Sequence, residues 1–278
     1  MKYFVQMAEQ IYKEDGIEFR DCGERKTGIE EFLGSMEYTK VSETGTELEF
    51  DLVNCKAPLA NALRRIMLAE IRTVAFHDVT VSVNDSIFPD EYVAHRIGLV
   101  CIKSEEKEIV AKLDVSNRTK ENMDVMSDDI VCDGLVIKSG ILLCRLAPGQ
   151  SIKMEMGIGG GRGREHAKWS PVSMCSYRLM PRLVLRREFR EEEAKKLQGC
   201  CSKGVIKIVK KKAVVVEPRK ETMSREVVRV FGDDVELSRV EDHFCFRVEG
   251  IMENGIEILK QGISEMRNKS RRILHEIE

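Results

Sequence analysis

Five histidines, nine cysteines and one glycine–arginine run are the residues of this 278-residue chain that invite a search for chemistry. His77, His95, His166, His243 and His275 never fall into the H-E-x-x-H or H-x3-H spacing that turns two imidazoles toward one ion. No C-x-x-C pair occurs. Cys200 and Cys201 are adjacent, and neighbours cannot easily face one tetrahedral ion, while Cys132 and Cys144 have no close companions. The run from Gly157 to Arg164 looks at first like a phosphate loop, but both G-x-G-x-x-G frames end on an arginine, and G-x4-G-K-[ST] is absent. It reads as a flexible loop between strands, with Arg162 and Arg164 available to a partner's carboxylate or a backbone phosphate. Asp90–Glu91 and Asp128–Asp129 are paired carboxylates without a third group beside them, so they read as a helix start and a turn. No G-x-S-x-G elbow is present. Lys210 to Lys212 lacks the interleaved aromatics of a single-strand stacking platform. No catalytic constellation emerges, and the chain reads as a non-enzyme for which neither a metal nor a cofactor is expected.

The elements that carry these residues follow from periodicity. Leu48, Phe50 and Leu52 alternate over Glu47 to Asn54, the pattern of a half-buried strand. Leu59, Leu63, Ile66, Met67 and Ile71 have helical spacing behind Pro58, and Arg64 and Arg65 lie off that stripe. The alternation of Val79, Val81 and Val83 predicts a strand over Asp78 to Asn84. A short helix is predicted from Asp90 to a stop at Gly98. Ile109 to Cys144 reads as β-rich. Glu188 to Gln198 is helix-prone, and Val205–Val209 with Ala213–Val216 flank a hairpin tip at Lys210 to Lys212. Asp242 to Val248 is a strand with Phe244, Phe246 and Val248 on one face. The last element is the most regular: Ile256, Leu259, Ile263, Met266, Ser270, Ile273 and Ile277 step by 3 and 4 in turn. Asn254 and Glu257 form a plausible capping pair for it. The stripe packs on the chain's own sheet or in part faces a partner helix.

Composition closes several classes. Lys plus Arg is 45 against 47 for Asp plus Glu, a net charge of -2, which excludes nucleic-acid binding by bulk charge. The longest stretch without Lys, Arg, Asp or Glu, Trp169 to Tyr177, falls far short of the ~20 residues of a membrane span. No basic flank and apolar run open the chain, so no signal peptide is expected, and the scattered cysteines suit a reducing compartment. The first 35 residues are charged and broken by glycines, an arm or docking segment. Residue by residue, the chain reads as an interaction protein. Two other classes stay open: a nucleic-acid binder using Arg64, Arg65, Arg162 and Arg164, and a metal or iron–sulfur protein using Cys200 and Cys201.

Four ordered motifs add a resemblance. Asn61-Ala-Leu-Arg-Arg-Ile66, Asp90-Glu-Tyr-Val-Ala-His-Arg-Ile-Gly-Leu99, His166-Ala-Lys-Trp-Ser-Pro-Val172 and His243-Phe-Cys-Phe-Arg-Val-Glu249 resemble the α-type assembly subunits of multisubunit RNA polymerases, over residues 36–278. With Ser176-Tyr-Arg-Leu-Met-Pro181 and Ser224-Arg-Glu-Val227, the chain looks most like the eukaryotic α-like subunit shared by polymerases I and III, the polymerase II counterpart being the close alternative.

The resemblance implies an α+β fold: a dimerisation domain of sheet plus two helices (36–72, 165–182 and 236–278), interrupted by a β-rich insert (73–164). A degenerate ferredoxin-like module (183–235) has lost its iron–sulfur cluster, and residues 1–35 form an N-terminal arm. It implies a non-catalytic role in the nucleus, including the nucleolus. There the chain pairs with a smaller α-like subunit as the platform for the large catalytic subunits that make rRNA, tRNA and 5S RNA. The second-largest subunit and small zinc-bearing subunits are the further partners, DNA is met only through the complex, and no membrane is involved. Leu59, Leu63, Ile66, Met67, Ile256, Leu259, Ile263, Met266 and Ile273 are the implied pairing residues. Arg64 and Arg65 are the implied contact to a large subunit. His95 and Arg96 belong to the insert, with His95 either near other subunits or a structural histidine.

Overall fold

A computed structural model describes residues 13–14, 17–18, 34–104 and 109–277; most of the arm foreseen over 1–35 lies outside them. Two short strands, β1 (Lys13–Glu14) and β2 (Ile17–Glu18), pair with each other. The ordered body then begins with β3 (Glu37–Thr44) and β4 (Glu47–Val53), followed by helix α1 (Ala57–Ala69) with Pro58 in its first turn. Next come β5 (Arg72–Asn84) and helix α2 (Asp90–Gly98), which carries Asp90 and Glu91 where the helix dipole favours them. Short strands β6 (Ile102–Lys103), β7 (Val110–Ser116), β8 (Met123–Met126), β9 (Ile130–Val131), β10 (Val136–Ile137) and β11 (Leu142–Leu146) lead into β12 (Ser151–Arg162). The chain continues through β13 (Val172–Leu185), helix α3 (Glu191–Cys200), β14 (Ile206–Val209), β15 (Lys212–Val215) and helix α4 (Glu226–Phe231). It closes with β16 (Val235–Gly250) and helix α5 (Gly255–Ile277).

Two antiparallel sheets organise the molecule. One has the order β13-β16-β4-β3, the other β5-β12-β7-β9. In the first, Leu48, Phe50, Leu52, Phe244, Phe246 and Val248 point to one face and meet Leu63 and Met67 of α1 and Ile258 and Leu259 of α5. Phe50 and Phe246 stack with ring centroids 4.8 Å apart. Each fully buried side chain of this kind contributes about 1.5–3 kcal/mol, which is what fixes two helices on this face. The second sheet has its own core, built from Phe76, Val93, Ile97, Leu113, Ile152 and Met154. A third cluster joins Leu183, Phe189, Leu197, Val205, Val227 and Val235. β13 and β16 are long enough to serve both the first and third cores, and their register shifts between Leu179 and Met180.

The glycine run is not a loop. Ile158 to Arg162 pair with Phe76 to Arg72 as the second half of β12. Its glycines answer a close approach: a Cβ on Gly161 would stand 2.4 Å from the Trp169 ring. The Trp169 indole N–H donates to the Gly159 carbonyl at 3.0 Å, so the ring lies on bare backbone. Sequence composition reads such a run as flexible, because nothing local announces the indole that covers it. The hairpin tip forms as expected: Lys210 and Lys211 take positive φ between β14 and β15.

Candidate functional site

α5 spans about 35 Å at 1.5 Å per residue and changes character along its length. Asn254 caps it: its Oδ1 accepts from the Glu257 N–H at 2.9 Å, while the Glu257 carboxylate turns to Lys260 at 2.8 Å and does not close the reciprocal bond. Over the first two turns Gly255, Ile258, Leu259 and Gly262 are buried. Gly262 is where α5 crosses α1: a Cβ there would stand 2.9 Å from Met67 Cγ. From Ile263 onward the apolar side chains come out. Ile263 is 47% exposed, Ile273 57%, Leu274 61% and Ile277 76%.

Polar contacts hold the outer half of the helix. Lys269 Nζ meets Glu70 Oε1 at 3.1 Å. Arg162 bridges Glu70 at 3.5 Å and Glu265 at 3.2 Å, Arg164 approaches Glu70 at 3.8 Å, and Arg272 reaches Glu265 at 3.4 Å. Burial opposes ionisation of Glu70, but Lys269, Arg164 and Arg162 overcome it and hold the carboxyl below the usual range. The network ties the end of α1 and the end of β12 to α5. Arg162 and Arg164, expected to be available to a partner, are thus engaged by the chain's own carboxylates.

The nine foreseen pairing residues divide. Leu63, Ile66, Met67 and Leu259 are buried in this chain alone, and Leu59, Ile256 and Met266 pack against the core from its edge. Ile263 and Ile273 stand outside it. The heptad reading missed Ile258, which is fully buried, and Leu274, which is exposed. Arg64 bonds Asn61 Oδ1 through Nε at 3.2 Å and Nη2 at 3.0 Å; Arg65 is exposed and makes no ion pair among the described residues. His95 lies beside His166, ring centroids 6.1 Å apart, and Arg96 donates from Nη2 to the Leu142 carbonyl. The acidic pairs are bonded locally: Asp90 Oδ1 accepts from Asn84 Nδ2, and Asp128 Oδ2 from the Gly140 N–H.

Metal ligation has one candidate among the described residues: Asp51, His243 and Cys245, whose ligand atoms all lie within 4.8 Å of one another. These residues stand on the face of the first sheet opposite the helices. His243 Nε2 is 3.0 Å from Asp51 Oδ2, and Arg219 Nη1 donates to Asp51 Oδ1. Burial pushes the Cys245 thiol up to about 11, with Asp51 adding to the shift. The guanidinium already neutralises the carboxylate, so the group acts as an electrostatic tie between β4, β16 and the 218–220 segment. Cys201 is buried, its thiol pushed up to about 12 by burial, and no third ligand joins it and Cys200 among the described residues. No helix among the described residues is long and apolar enough to cross a membrane.

The arrangement therefore offers a sheet, two crossed helices and an apolar helix face left exposed among the described residues. Comparison with known proteins accounts for it. Residues 49–270 match the RNA polymerase Rpb3/Rpb11 dimerisation domain. The chain is 34% identical to the DNA-directed RNA polymerases I and III subunit RPAC1 of Saccharomyces cerevisiae, over 91% of this chain and 90% of that one. Against the human protein of the same name the identity is 33%, over 83% and 81%. The DNA-directed RNA polymerases II, IV and V subunit 3 of Arabidopsis thaliana is 28% identical, over 79% and 86%. The α+β sheet with its two helices and the match over most of its length place this chain in the RNA polymerase Rpb3/Rpb11 dimerisation-domain family.

Proposed function

We propose that this protein is a non-catalytic assembly subunit of DNA-directed RNA polymerases I and III. It pairs with a smaller α-like subunit, and the pair is the platform on which the second-largest subunit, the small zinc-bearing subunits and the catalytic core assemble. The observation that carries this reading is the outer half of α5. Ile263, Ile273, Leu274 and Ile277 form an exposed apolar face on a helix clamped by Glu70 and Glu265, and an exposed apolar face held rigid is an association surface. Higher identity to the polymerase I and III subunits than to the polymerase II-type subunit favours that paralogue. On this reading the dimerisation unit is 36–72, 165–182 and 236–278, the insert 73–164 and the third module 183–235. Arg65 is the contact to a large subunit, with Arg64 beside it, and the protein works in the nucleus and nucleolus.

Native mass spectrometry of complexes purified through the tagged chain tests the proposal. Two large assemblies containing the same smaller α-like subunit are expected. One assembly with the polymerase II partner would change the paralogue, and a chain recovered alone would overturn the reading.

A further inference from the structure

Two of the sequence motifs meet at a recess that the pairing function does not use. It has a volume of about 280 Å³ and is walled by β5, α2 and the 166–168 turn, with His77, His95, His166 and Lys168 among its lining residues. Lys168 is the centre. Its Nζ donates to the Phe76 carbonyl at 2.9 Å and to His77 Nδ1 at 3.3 Å, and lies 4.6 Å from the centroid of the Trp169 ring. All three partners are uncharged. Asp78 is near enough for the ammonium to feel its charge, but no ion pair closes between them. Among the described residues Lys168 is thus a partly buried cation that closes no ion pair, and burial pushes its pKa down against the pull of Asp78.

The imidazoles follow from the same lysine. An ammonium has no lone pair, so His77 Nδ1 must accept from it, which leaves the His77 proton on Nε2. His166 Nδ1 accepts from the Lys168 backbone N–H at 3.1 Å, which leaves its proton on Nε2 as well. One residue thereby sets two tautomers, and the polar side chains it organises offer donors. Concave space, an ammonium that closes no ion pair among the described residues and two lining imidazoles that keep their N–H on Nε2 together suit an anion with planar or tetrahedral oxygens.

We propose that this recess is an oxyanion pocket, taking a carboxylate or a phosphate group through Lys168, His77 and His166. The group is either a side-chain carboxylate of a neighbouring subunit or a free anion, and the chemistry of capture is the same.

The full-length chain carrying labelled histidine rings is titrated with inorganic phosphate and with acetate at constant ionic strength. The ring signals of His77 and His166 are expected to shift and saturate, while those of His243 and His275 stay in place. In Lys168→Met the response is expected to fall by tenfold or more in apparent affinity. Non-saturating shifts, equal movement of all five rings, or an unchanged response in the variant would overturn the pocket; the wild-type titration decides even if the variant fails to fold. Carbodiimide coupling on the assembled complex then separates the sources. An amide between Lys168 and a neighbour's Asp or Glu identifies an intermolecular carboxylate. No such product, with phosphate still moving the rings in the complex, identifies a free anion.

Discussion

The two halves of α5 have almost the same sequence pattern and opposite environments. From Gly255 to Gly262 its apolar residues are buried against β4, β16 and α1. Beyond Gly262 only Met266 still packs at the edge of the core, Ile263, Ile273, Leu274 and Ile277 face outward, and the ion pairs Lys269–Glu70 and Arg162–Glu265 take over as the means of attachment. The difference teaches that one helix can be held by two kinds of contact. A hydrophobic seam fixes the inner half in the fold. A polar clamp positions the outer half without burying Ile263, Ile273, Leu274 or Ile277, the side chains on which the proposed pairing rests.

The sharpest way to break the contrast is to hollow the inner half. Ile258→Ala removes a fully buried side chain from the sheet–helix core and is expected to cost about 2–5 kcal/mol in chemical denaturation. Gly262→Val attacks the same half from the opposite direction. Its added atoms meet Met67 at the helix crossing, and about 1–3 kcal/mol of overpacking is expected, read as a lowered denaturant midpoint.

The clamp gives a smaller and pH-dependent effect. Glu70 has a folded pKa below its ordinary value of 4.5. Its contribution to stability is therefore present above that value and is lost as pH falls through the folded pKa. Glu70→Gln is expected to be less stable than the wild type at neutral pH, with the gap closing in acid; a gap independent of pH would mean that the pairing with Lys269 and the arginines contributes nothing. In the outer half, Ile263→Asp with Ile273→Asp is expected to change the chain's own stability by no more than about 0.5 kcal/mol, because both side chains are exposed. The same double variant should abolish co-purification with the smaller α-like subunit. Intact pairing would move the interface off this helix. Arg65→Ala should leave both stability and pairing unchanged, and its effect should appear only when assembly with a large subunit is measured.

Much of this was legible without coordinates, in specific places. The alternation of Leu48, Phe50 and Leu52 and of Phe244, Phe246 and Val248 announced two strands, and the structure pairs them directly in one sheet. Asn254 announced the start of α5. What the pattern could not state was the angle at which that helix meets the core. The heptad stripe put Ile263 with Leu259 and passed over Ile258, yet the buried face runs through Gly255, Ile258, Leu259 and Gly262. Two glycines set that face by letting α5 approach Leu48 and Met67, and a hydrophobic count gives glycine no weight.

Chain-local chemistry thus determined the elements, their order and the family, because strand alternation, helical spacing and short motifs depend on neighbours in sequence. Tertiary structure decided the rest through contacts between residues far apart. Trp169 turned the Gly157–Arg162 run into a strand by lying on it. Glu70 and Glu265, on α1's end and on α5, claimed Arg162 and Arg164. Lys168 drew His77, 91 residues before it, to the recess that its near neighbour His166 also lines. The ion pairs and the Lys168–His77 contact join residues remote in sequence and close in space, where packing and low dielectric make a contact strong, and no local pattern carries that information.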